Sequence, residues 1–283
     1  MSKARAFVVG TNVNKSLSPT IFNYWFEKYR ISAEYKHKEI KEENFDKEIK
    51  LILKDDKLRG LNITTPFKEK IITHLDVLEK HSVQIGAVNC VTKTEKKLEG
   101  MNTDWTGFED SLKWAQKHKT PKIKRKNIAV VIGYGGSAKA IIYSLLFMGF
   151  RTIKVFNRSF DKIYNLKKIK PHKLEELEDH FSGADLIVNT VPRNIIKNHC
   201  PNLRRQLAIN GPNSTGHGFD AVYNYPTFFL DYIAFAKRID GIHMLIHQAI
   251  PCFHKWFGIK PEADAELVRI LIDKRDGILE EKQ

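Results

Sequence analysis

This sequence has few cysteines, no long hydrophobic run and no leader-like N-terminus. Three cysteines in 283 residues, Cys90, Cys200 and Cys252, are too few and too far apart for a disulfide framework or a metal-binding motif. The longest apolar runs fall far short of the roughly 20 residues that a membrane-spanning helix needs. The first residues lead directly into a strand-like segment rather than into a signal peptide. We therefore expect a cytoplasmic protein with no membrane partner.

Acidic residues are also scarce: 33 of them stand against 47 lysines and arginines, which gives a net charge of +14. Such an excess suits nucleic-acid binding. The excess is mostly lysine spread along the chain, however, and the one dense run, 117–126, has the character of a solvated linker. A positive field equally suits an enzyme with an anionic substrate and cofactor. We expect no nucleic-acid partner and keep a basic nucleic-acid-binding protein as the non-enzymatic alternative.

The glycine-rich stretch at 130–140 is the most informative part of the chain. A strand that is apolar on both faces runs into the pattern G-x-G-G-x-A and then into a helix. Glycines let the backbone turn tightly and approach a ligand, and the first N–H groups of the helix favour a pyrophosphate. Tight packing alone is the alternative explanation. The predicted cofactor-binding residues are Gly133, Gly135, Gly136, Ser137 and Ala138.

A second strand at 152–156 completes a strand–helix–strand unit, and the residues that follow it indicate which cofactor binds. An acid at this position binds the ribose hydroxyls of NAD, whereas a basic residue accommodates the 2′-phosphate of NADP. Asp161 is the rival candidate for an acid, but the pattern places it inside the next helix. NADP is therefore the predicted cofactor. The residues expected to contact it here are Asn157, Arg158, Ser159 and Lys162.

Strands and helices alternate along the whole chain, which predicts an α/β fold. In the first part we expect strands at 6–10, 33–38, 58–63 and 86–91 and helices from 19, at 42–53, 70–78 and 105–115. The middle part, 127–240, is expected to form one doubly wound domain, with later strands at 184–189 and 219–223. Two helices, 243–257 and 262–272, should close the chain.

Polar side chains in the first part lie where ligands bind α/β proteins. Ser18 is predicted to cap the helix that Pro19 begins, but capping does not account for Ser16, so both hydroxyls are candidates for binding a carboxylate. Lys68 follows a strand end and is a candidate proton carrier, or a surface lysine. Asn89 lies within an apolar run and must be hydrogen-bonded. Asp104 precedes a helix, which it could simply cap.

His243 and His247 have the i, i+4 spacing of a metal-binding pair. No third ligand accompanies them, so we expect ordinary helix histidines and no metal.

Taken together, these motifs resemble the shikimate dehydrogenase family, NADP-dependent reductases of 3-dehydroshikimate. The resemblance runs almost from end to end. The segments that carry it are 16–19 (SLSP), 62–68 (NITTPFK), 86–89 (GAVN), 102–104 (NTD), 133–138 (GYGGSA), 157–159 (NRS), 220–223 (DAVY), 244–245 (ML) and 248–249 (QA).

The resemblance implies two domains and a role for each site residue. Residues 1–104 would bind the substrate, 105–240 would form an inserted Rossmann-type NADP domain, and 241–283 would add helices that pack back on the substrate domain. Lys68 and Asp104 would form the catalytic pair. The substrate carboxylate would bind Ser16, Ser18 and Tyr223; the ring hydroxyls would bind Thr64, Asn89 and Gln248. Thr190 and Gly241 join the cofactor-binding set, with Gly241 near the nicotinamide.

Several positions depart from the family pattern, chiefly on the nicotinamide side. Tyr134 occupies a position that is usually small, and the segment 223–227 has a displaced tyrosine–proline–threonine spacing.

Use of quinate or NAD is the enzymatic alternative to an enzyme of shikimate and NADP. Methylenetetrahydrofolate dehydrogenase shares the architecture, but Ser16, Ser18 and the Asp104 motif argue against it. A monomer or a homodimer is expected.

Overall fold

The computed structural model describes residues 3–163, 166–180, 183–200, 216–223 and 237–280. The chain divides into two compact units, one made of Met1–Gly107 with Leu245–Gln283 and the other of Phe108–Met244. The second unit is thus an insertion in the first.

The elements of the described residues alternate as the sequence predicts. The strands are β1 Ala4–Gly10, β2 Ala33–Glu39, β3 Leu58–Ile63, β4 Val77–Leu78, β5 Cys90–Lys93, β6 Leu98–Met101, β7 Ile128–Ile132, β8 Thr152–Asn157, β9 Ile169–Lys173, β10 Leu186–Asn189, β11 His217–Asp220 and β12 Arg238–Asp240. The α-helices are α1 Ser18–Lys28, α2 Phe45–Leu53, α3 Lys80–Ile85, α4 Asp104–His118, α5 Gly136–Phe147, α6 Leu177–His180, α7 Arg193–His199, α8 Ile242–Phe257 and α9 Ala265–Glu280. Short 3₁₀ segments lie at Glu42–Asn44, Lys70–His74, Phe160–Lys162 and Leu174–Glu176.

The first unit is built on a six-stranded sheet of order β2-β1-β3-β5-β6-β4. Strands β1, β2 and β3 are parallel, whereas β5 runs antiparallel to both β3 and β6. Helix α1 buries a face that holds Phe22, Trp25 and Phe26 at helical spacing. Its Phe22 ring stacks on Tyr35 at 4.2 Å and on Trp256 of α8 at 5.3 Å. These contacts attach the C-terminal helices to the N-terminal sheet.

The second unit has a six-stranded sheet of order β12-β11-β10-β7-β8-β9, with all its strands parallel. Strand β7 is buried on both faces, from Ala129 to Ile132, as expected for a central strand covered by helices. The chain order reverses at β7, which lies between β8 and β10. Ligands of open α/β sheets bind at the carboxyl ends of strands flanking such a point. The predicted α/β fold with a doubly wound unit is confirmed.

Several predicted elements are wrong or shifted. The helix expected at 70–78 is a 3₁₀ segment followed by β4, because Val77 and Leu78 pair with β6 instead of extending a helix. The strand expected at 86–91 begins only at Cys90, and the last helix runs from Ala265 to Glu280. Among the described residues, no helix is both long and apolar enough to cross a membrane.

Candidate active site

Lys68 and Asp104 form a buried ion pair in the first unit. Lys68 lies in the turn after β3, and Asp104 is the first residue of α4. The Lys68 Nζ donates to Asp104 Oδ2 over 2.5 Å, and the residues are only 7% and 5% exposed. Asp104 is the first residue of α4 and not the residue before it, and the side chain of Asn102 accepts the Asp104 N–H at 3.0 Å. The Asp104 carboxylate orients a buried ammonium.

Asn89 holds the other oxygen of this carboxylate. Its Nδ2 lies 2.8 Å from Asp104 Oδ1, 2.9 Å from Thr103 Oγ1 and 3.2 Å from Gln248 Oε1. Its Oδ1 accepts the Thr103 N–H at 2.6 Å. The buried amide is thus satisfied, as the sequence required, and it joins β5, the start of α4 and helix α8. Three acceptors surround an amide group that has two N–H donors.

Thr103 is the member of this cluster that sequence reasoning missed. It belongs to the Asn102-Thr103-Asp104 motif, but only Asp104 was assigned a role. Its hydroxyl also lies 3.5 Å from both Gln248 Oε1 and Cys252 Sγ. The signal that could have identified it is its position between two polar residues at a helix start.

Ser16 and Ser18 come together at the start of α1, but in a way that corrects the sequence-based prediction. Helix α1 begins at Ser18 itself, so Ser18 is not the N-cap, and Pro19 is in the second helical position. The Ser18 N–H donates to Ser16 Oγ at 3.3 Å, and the two hydroxyl oxygens are 3.2 Å apart. Ser16 therefore provides the capping contact, and both hydroxyls lie at a helix N-terminus, where anions are favoured.

Thr64 and Tyr223 lie at strand ends. Thr64 follows β3, and its N–H donates to the Val9 carbonyl at 2.9 Å. Tyr223 is half-buried after β11 in the second unit. The segment 224–227, where the sequence departs from the family spacing, lies outside the described residues.

Two glycines in the turn between β7 and α5 differ in their surroundings. Gly133 has a φ of 106°, and a Cβ there would lie 2.3 Å from Thr190 Oγ1. Gly135 has open space around it in the part of the chain that the structure describes, where no atom beyond its chain neighbours lies within 4 Å of a Cβ built there. Helix α5 begins at Gly136, its N-cap residue is Gly135, which has no side chain, and its first turn holds no acidic residue. Ser137 is half-buried and Ala138 is buried in this first turn.

The residues after β8 form an exposed polar turn. Asn157 ends the strand, and its Nδ2 donates to the Ser159 carbonyl at 3.3 Å. Arg158 and Lys162 are exposed, while Asp161 lies with Lys162 in a 3₁₀ segment instead of the predicted helix.

The loops after β10 and β11 are joined by a buried carboxyl. Asp220 is 1% exposed, and its Oδ1 accepts Asn189 Nδ2 at 3.1 Å and the Val222 N–H at 2.9 Å. Burial raises the pKa of Asp220 to about 7, against the opposing effect of these hydrogen bonds. Gly241 follows β12, and a Cβ there would lie 2.7 Å from the Asp220 carbonyl oxygen.

Comparison with known proteins decides the family. Residues 8–91 match the model described as shikimate dehydrogenase substrate binding domain, and residues 114–202 match shikimate / quinate 5-dehydrogenase. A Pelagibacter ubique protein named shikimate dehydrogenase (NADP(+)) is 31% identical over 280 residues, covering 95% of this chain and 99% of the relative. The chain belongs to the shikimate dehydrogenase family. The resemblance inferred from the motifs is confirmed.

Solved members of the shikimate dehydrogenase family have the same fold. The enzyme from Peptoclostridium difficile is 28% identical, with a TM-score of 0.79 and 98% of each chain covered. The Thermus thermophilus enzyme, solved in complex with NADP(H) and shikimate, is 26% identical with a TM-score of 0.75, covering 97% of this chain and 99% of that one.

Proposed function

We propose that this protein catalyses the reversible NADPH-dependent reduction of 3-dehydroshikimate to shikimate. The observation that carries the proposal is the buried Lys68–Asp104 pair, with Asn89 and Gln248 beside it. Reduction of a ketone needs a proton source where the alkoxide develops, and a lysine ammonium oriented by a carboxylate is such a source. Membership of the family, whose relatives carry this activity in their names, supports the same reaction.

Lys68 has the catalytic role in this proposal. Its ammonium donates a proton to the substrate oxygen at C3 as negative charge develops there, and in the reverse direction the free amine accepts it. Asp104 is the charge partner that orients the ammonium, and Asn89 keeps the carboxylate in place by binding its other oxygen. The low exposure of the pair excludes bulk water, which strengthens these interactions.

Substrate binding is assigned to polar groups around the pair and at the start of α1. Ser16 and Ser18 bind the carboxylate, supported by their paired hydroxyls at a helix N-terminus. Thr64, Asn89 and Gln248 bind the ring hydroxyls. Tyr223 is assigned to the carboxylate from the family resemblance.

The second unit fits NADP. Bound NADPH supplies the hydride. The start of α5, with a glycine as its N-cap and open space at Gly135 among the described residues, suits a pyrophosphate, and the exposed Arg158 suits a 2′-phosphate. The residues assigned to the cofactor are Gly133, Gly135, Gly136, Ser137, Ala138, Asn157, Arg158, Ser159, Lys162, Thr190 and Gly241. Apart from Gly241 and Tyr223, these assignments give the substrate to 1–104 and 241–283 and the cofactor to 105–240.

We place the protein in the cytoplasm, a location supported by its three buried free thiols.

A monomeric or homodimeric state and the lack of a nucleic-acid partner stay predictions. Light scattering at two protein concentrations tests the first. A nucleic-acid mobility shift at low salt tests the second, since binding through basic residues is salt-sensitive.

The decisive experiment is a steady-state assay of shikimate oxidation, followed by the absorbance of the reduced nicotinamide. Shikimate and quinate are each paired with NADP and NAD, and the Lys68→Ala variant is the blank. We expect the highest kcat/KM for shikimate with NADP. Equal kcat/KM for quinate or for NAD would favour the broader quinate/shikimate dehydrogenase. Lack of turnover by the folded protein in all four pairings would reject the proposal.

A further inference from the structure

A cluster of metal-ligating side chains lies in the second unit, outside the residues assigned to the reaction. It consists of His172 near the end of β9, Glu176 in the following 3₁₀ segment and His180 at the end of α6. One ligand atom from each lies within 4.8 Å of the others. Of these atoms, His172 Nδ1 and Glu176 Oε2 are 3.0 Å apart.

Packing fixes the orientation of both imidazoles before any ion binds. His172 stacks on the buried Phe156 ring with a centroid distance of 4.9 Å and an angle of 14°. The His180 ring lies 4.6 Å from that of His172 and 5.6 Å from that of Phe156. Ligands held in place by their surroundings lose little freedom on binding, which favours a defined site over casual association.

Lys154 shows that His180 already faces a cation. Its Nζ lies 3.1 Å from His180 Nδ1. Because an ammonium can only donate, Nδ1 must accept, and its lone pair points at the positive charge. A metal ion bound at Nδ1 would use the same lone pair, so the ammonium would compete with it. Lys154 has a long flexible stem and can swing away when an ion takes its place.

We propose that His172, Glu176 and His180 bind one divalent ion of the borderline class, with Zn²⁺ as the preferred member. Two imidazoles and one carboxylate match the ligand preferences of Zn²⁺, and water would fill the fourth tetrahedral position. Bonds of about 2.0–2.1 Å place ligands roughly 3.4 Å apart. The ligand atoms lie within 4.8 Å of one another, so the side chains must adjust to reach that spacing when an ion binds. The ion would connect β9 to α6 and stabilise the folded unit by mass action.

The test is calorimetric titration of Zn²⁺ into metal-stripped, tag-free protein, with the Co²⁺ absorption spectrum as a second readout. We expect one tight equivalent and the intense visible bands of tetrahedral Co²⁺. His180→Ala and Glu176→Gln should weaken binding by more than the about 10–100-fold that loss of a second-shell partner costs. Lys154→Met should tighten it, because the competing ammonium is gone.

His199→Ala is the matched control. His199 also pairs with a glutamate, since its Nδ1 lies 2.8 Å from Glu175 Oε1, but that pair belongs to no three-ligand cluster among the described residues. This variant should bind Zn²⁺ like the unmodified protein. Circular dichroism checks that each variant folds, and the surface position of Glu176 makes Glu176→Gln a mild change. The proposal fails if the unmodified protein does not bind one Zn²⁺ tightly, if both His180→Ala and Glu176→Gln still bind it tightly, or if His199→Ala abolishes the binding.

Discussion

Lys68 and Asp104 are separated by 36 positions in the sequence, yet Lys68 Nζ lies 2.5 Å from Asp104 Oδ2. The turn after β3 supplies the first residue and the start of α4 supplies the second. Because Asn89 binds the remaining carboxylate oxygen, the carboxylate cannot rotate without breaking a hydrogen bond to one of its two partners. The ammonium therefore has a fixed position from which to donate.

The first prediction concerns this ammonium. Lys68→Ala should lower kcat by at least about 10²-fold, the lower end of what general acid–base catalysis contributes. The KM for NADP should change much less, because the cofactor residues are assigned to the second unit. Steady-state kinetics at saturating cofactor checks this. Lys70→Ala, which removes an exposed lysine two positions along the chain, is the matched control and should keep its rate.

Asp104→Asn should also lose rate, because an amide keeps the shape of the side chain but carries no charge to hold the ammonium. The double variant should lose far less than the product of the single losses, as groups that act as a unit do. A folded Lys68→Ala protein with near-native kcat would remove Lys68 from the mechanism.

The site shows what the sequence could predict and what it could not. Asn89 and Asp104 were identifiable because a buried amide and a polar residue at a helix start each need a partner. Their mutual contact depends on the antiparallel pairing of β5 with β6, which places Asn89 beside the residues that follow Met101, and the sequence pattern predicts no strand at β6. Thr103 was missed for the same reason.

Errors in the predicted elements have equally physical causes. Proline is tolerated throughout the first helical turn, so Pro19 could not fix whether α1 begins at Ser18 or after it. The apolar spacing at 70–78 fits a helix, but pairing of β4 with β6 decides the conformation of Val77 and Leu78. The spacing of His172, Glu176 and His180 can be read from the sequence. Only the fold shows that the end of β9 and the end of α6 bring these three side chains together.

The second prediction concerns the substrate carboxylate. Ser16→Ala should raise the KM for shikimate about tenfold or more, since a hydrogen bond to a charged group contributes about 1.5–3 kcal/mol. Kinetics with shikimate and its methyl ester check this. The ester should be a poor substrate of the unmodified enzyme. With the ester, Ser16→Ala should raise the KM much less than it does with shikimate. If the ester reacts as well as the acid, the carboxylate does not bind here.

The third prediction concerns cofactor choice. Arg158→Asp should raise the KM for NADP by about 10–100-fold, the loss of one charge-assisted contact, and that for NAD far less. Arg151→Asp makes the same charge change on an exposed arginine just before β8 and serves as the control. Equal use of NADP and NAD by the unmodified protein would contradict the assignment of Arg158.

The fourth prediction separates two glycines of one turn. Gly135→Ala should leave the melting temperature unchanged, because the φ of Gly135 is −81° and its surroundings among the described residues are open. It should raise the KM for NADP, because the added methyl group would occupy space that is assigned to the cofactor. Gly133→Ala should lower the melting temperature, because the φ of 106° and the Thr190 contact strain any side chain. Thermal unfolding and kinetics on both variants check the contrast. A Gly135→Ala enzyme with native NADP affinity would mean that the cofactor does not approach Gly135.

The last prediction concerns Asp220. Burial raises its pKa from 3.8 to about 7, so between these values the folded protein binds a proton that the unfolded chain has released. The free energy of unfolding therefore falls as pH rises from about 4 to 7, by up to about 1.4 kcal/mol per pH unit, and levels off above 7. Urea denaturation across this range measures the slope, taken as the difference between the unmodified protein and a variant.

Asp220→Asn is the variant that isolates the charge. Its carbonyl oxygen can accept the same two N–H groups, from Asn189 and Val222, so it keeps the connection between the loops and cannot ionise. It should match the unmodified protein near pH 4 and be more stable at pH 8. Asp240→Asn should give a smaller effect of the same sign, because the Asp240 charge contributes to raising the pKa of Asp220. Parallel profiles for the unmodified protein and Asp220→Asn between pH 4 and 7 would show that the carboxyl is ionised throughout, and that the loops tolerate a buried charge.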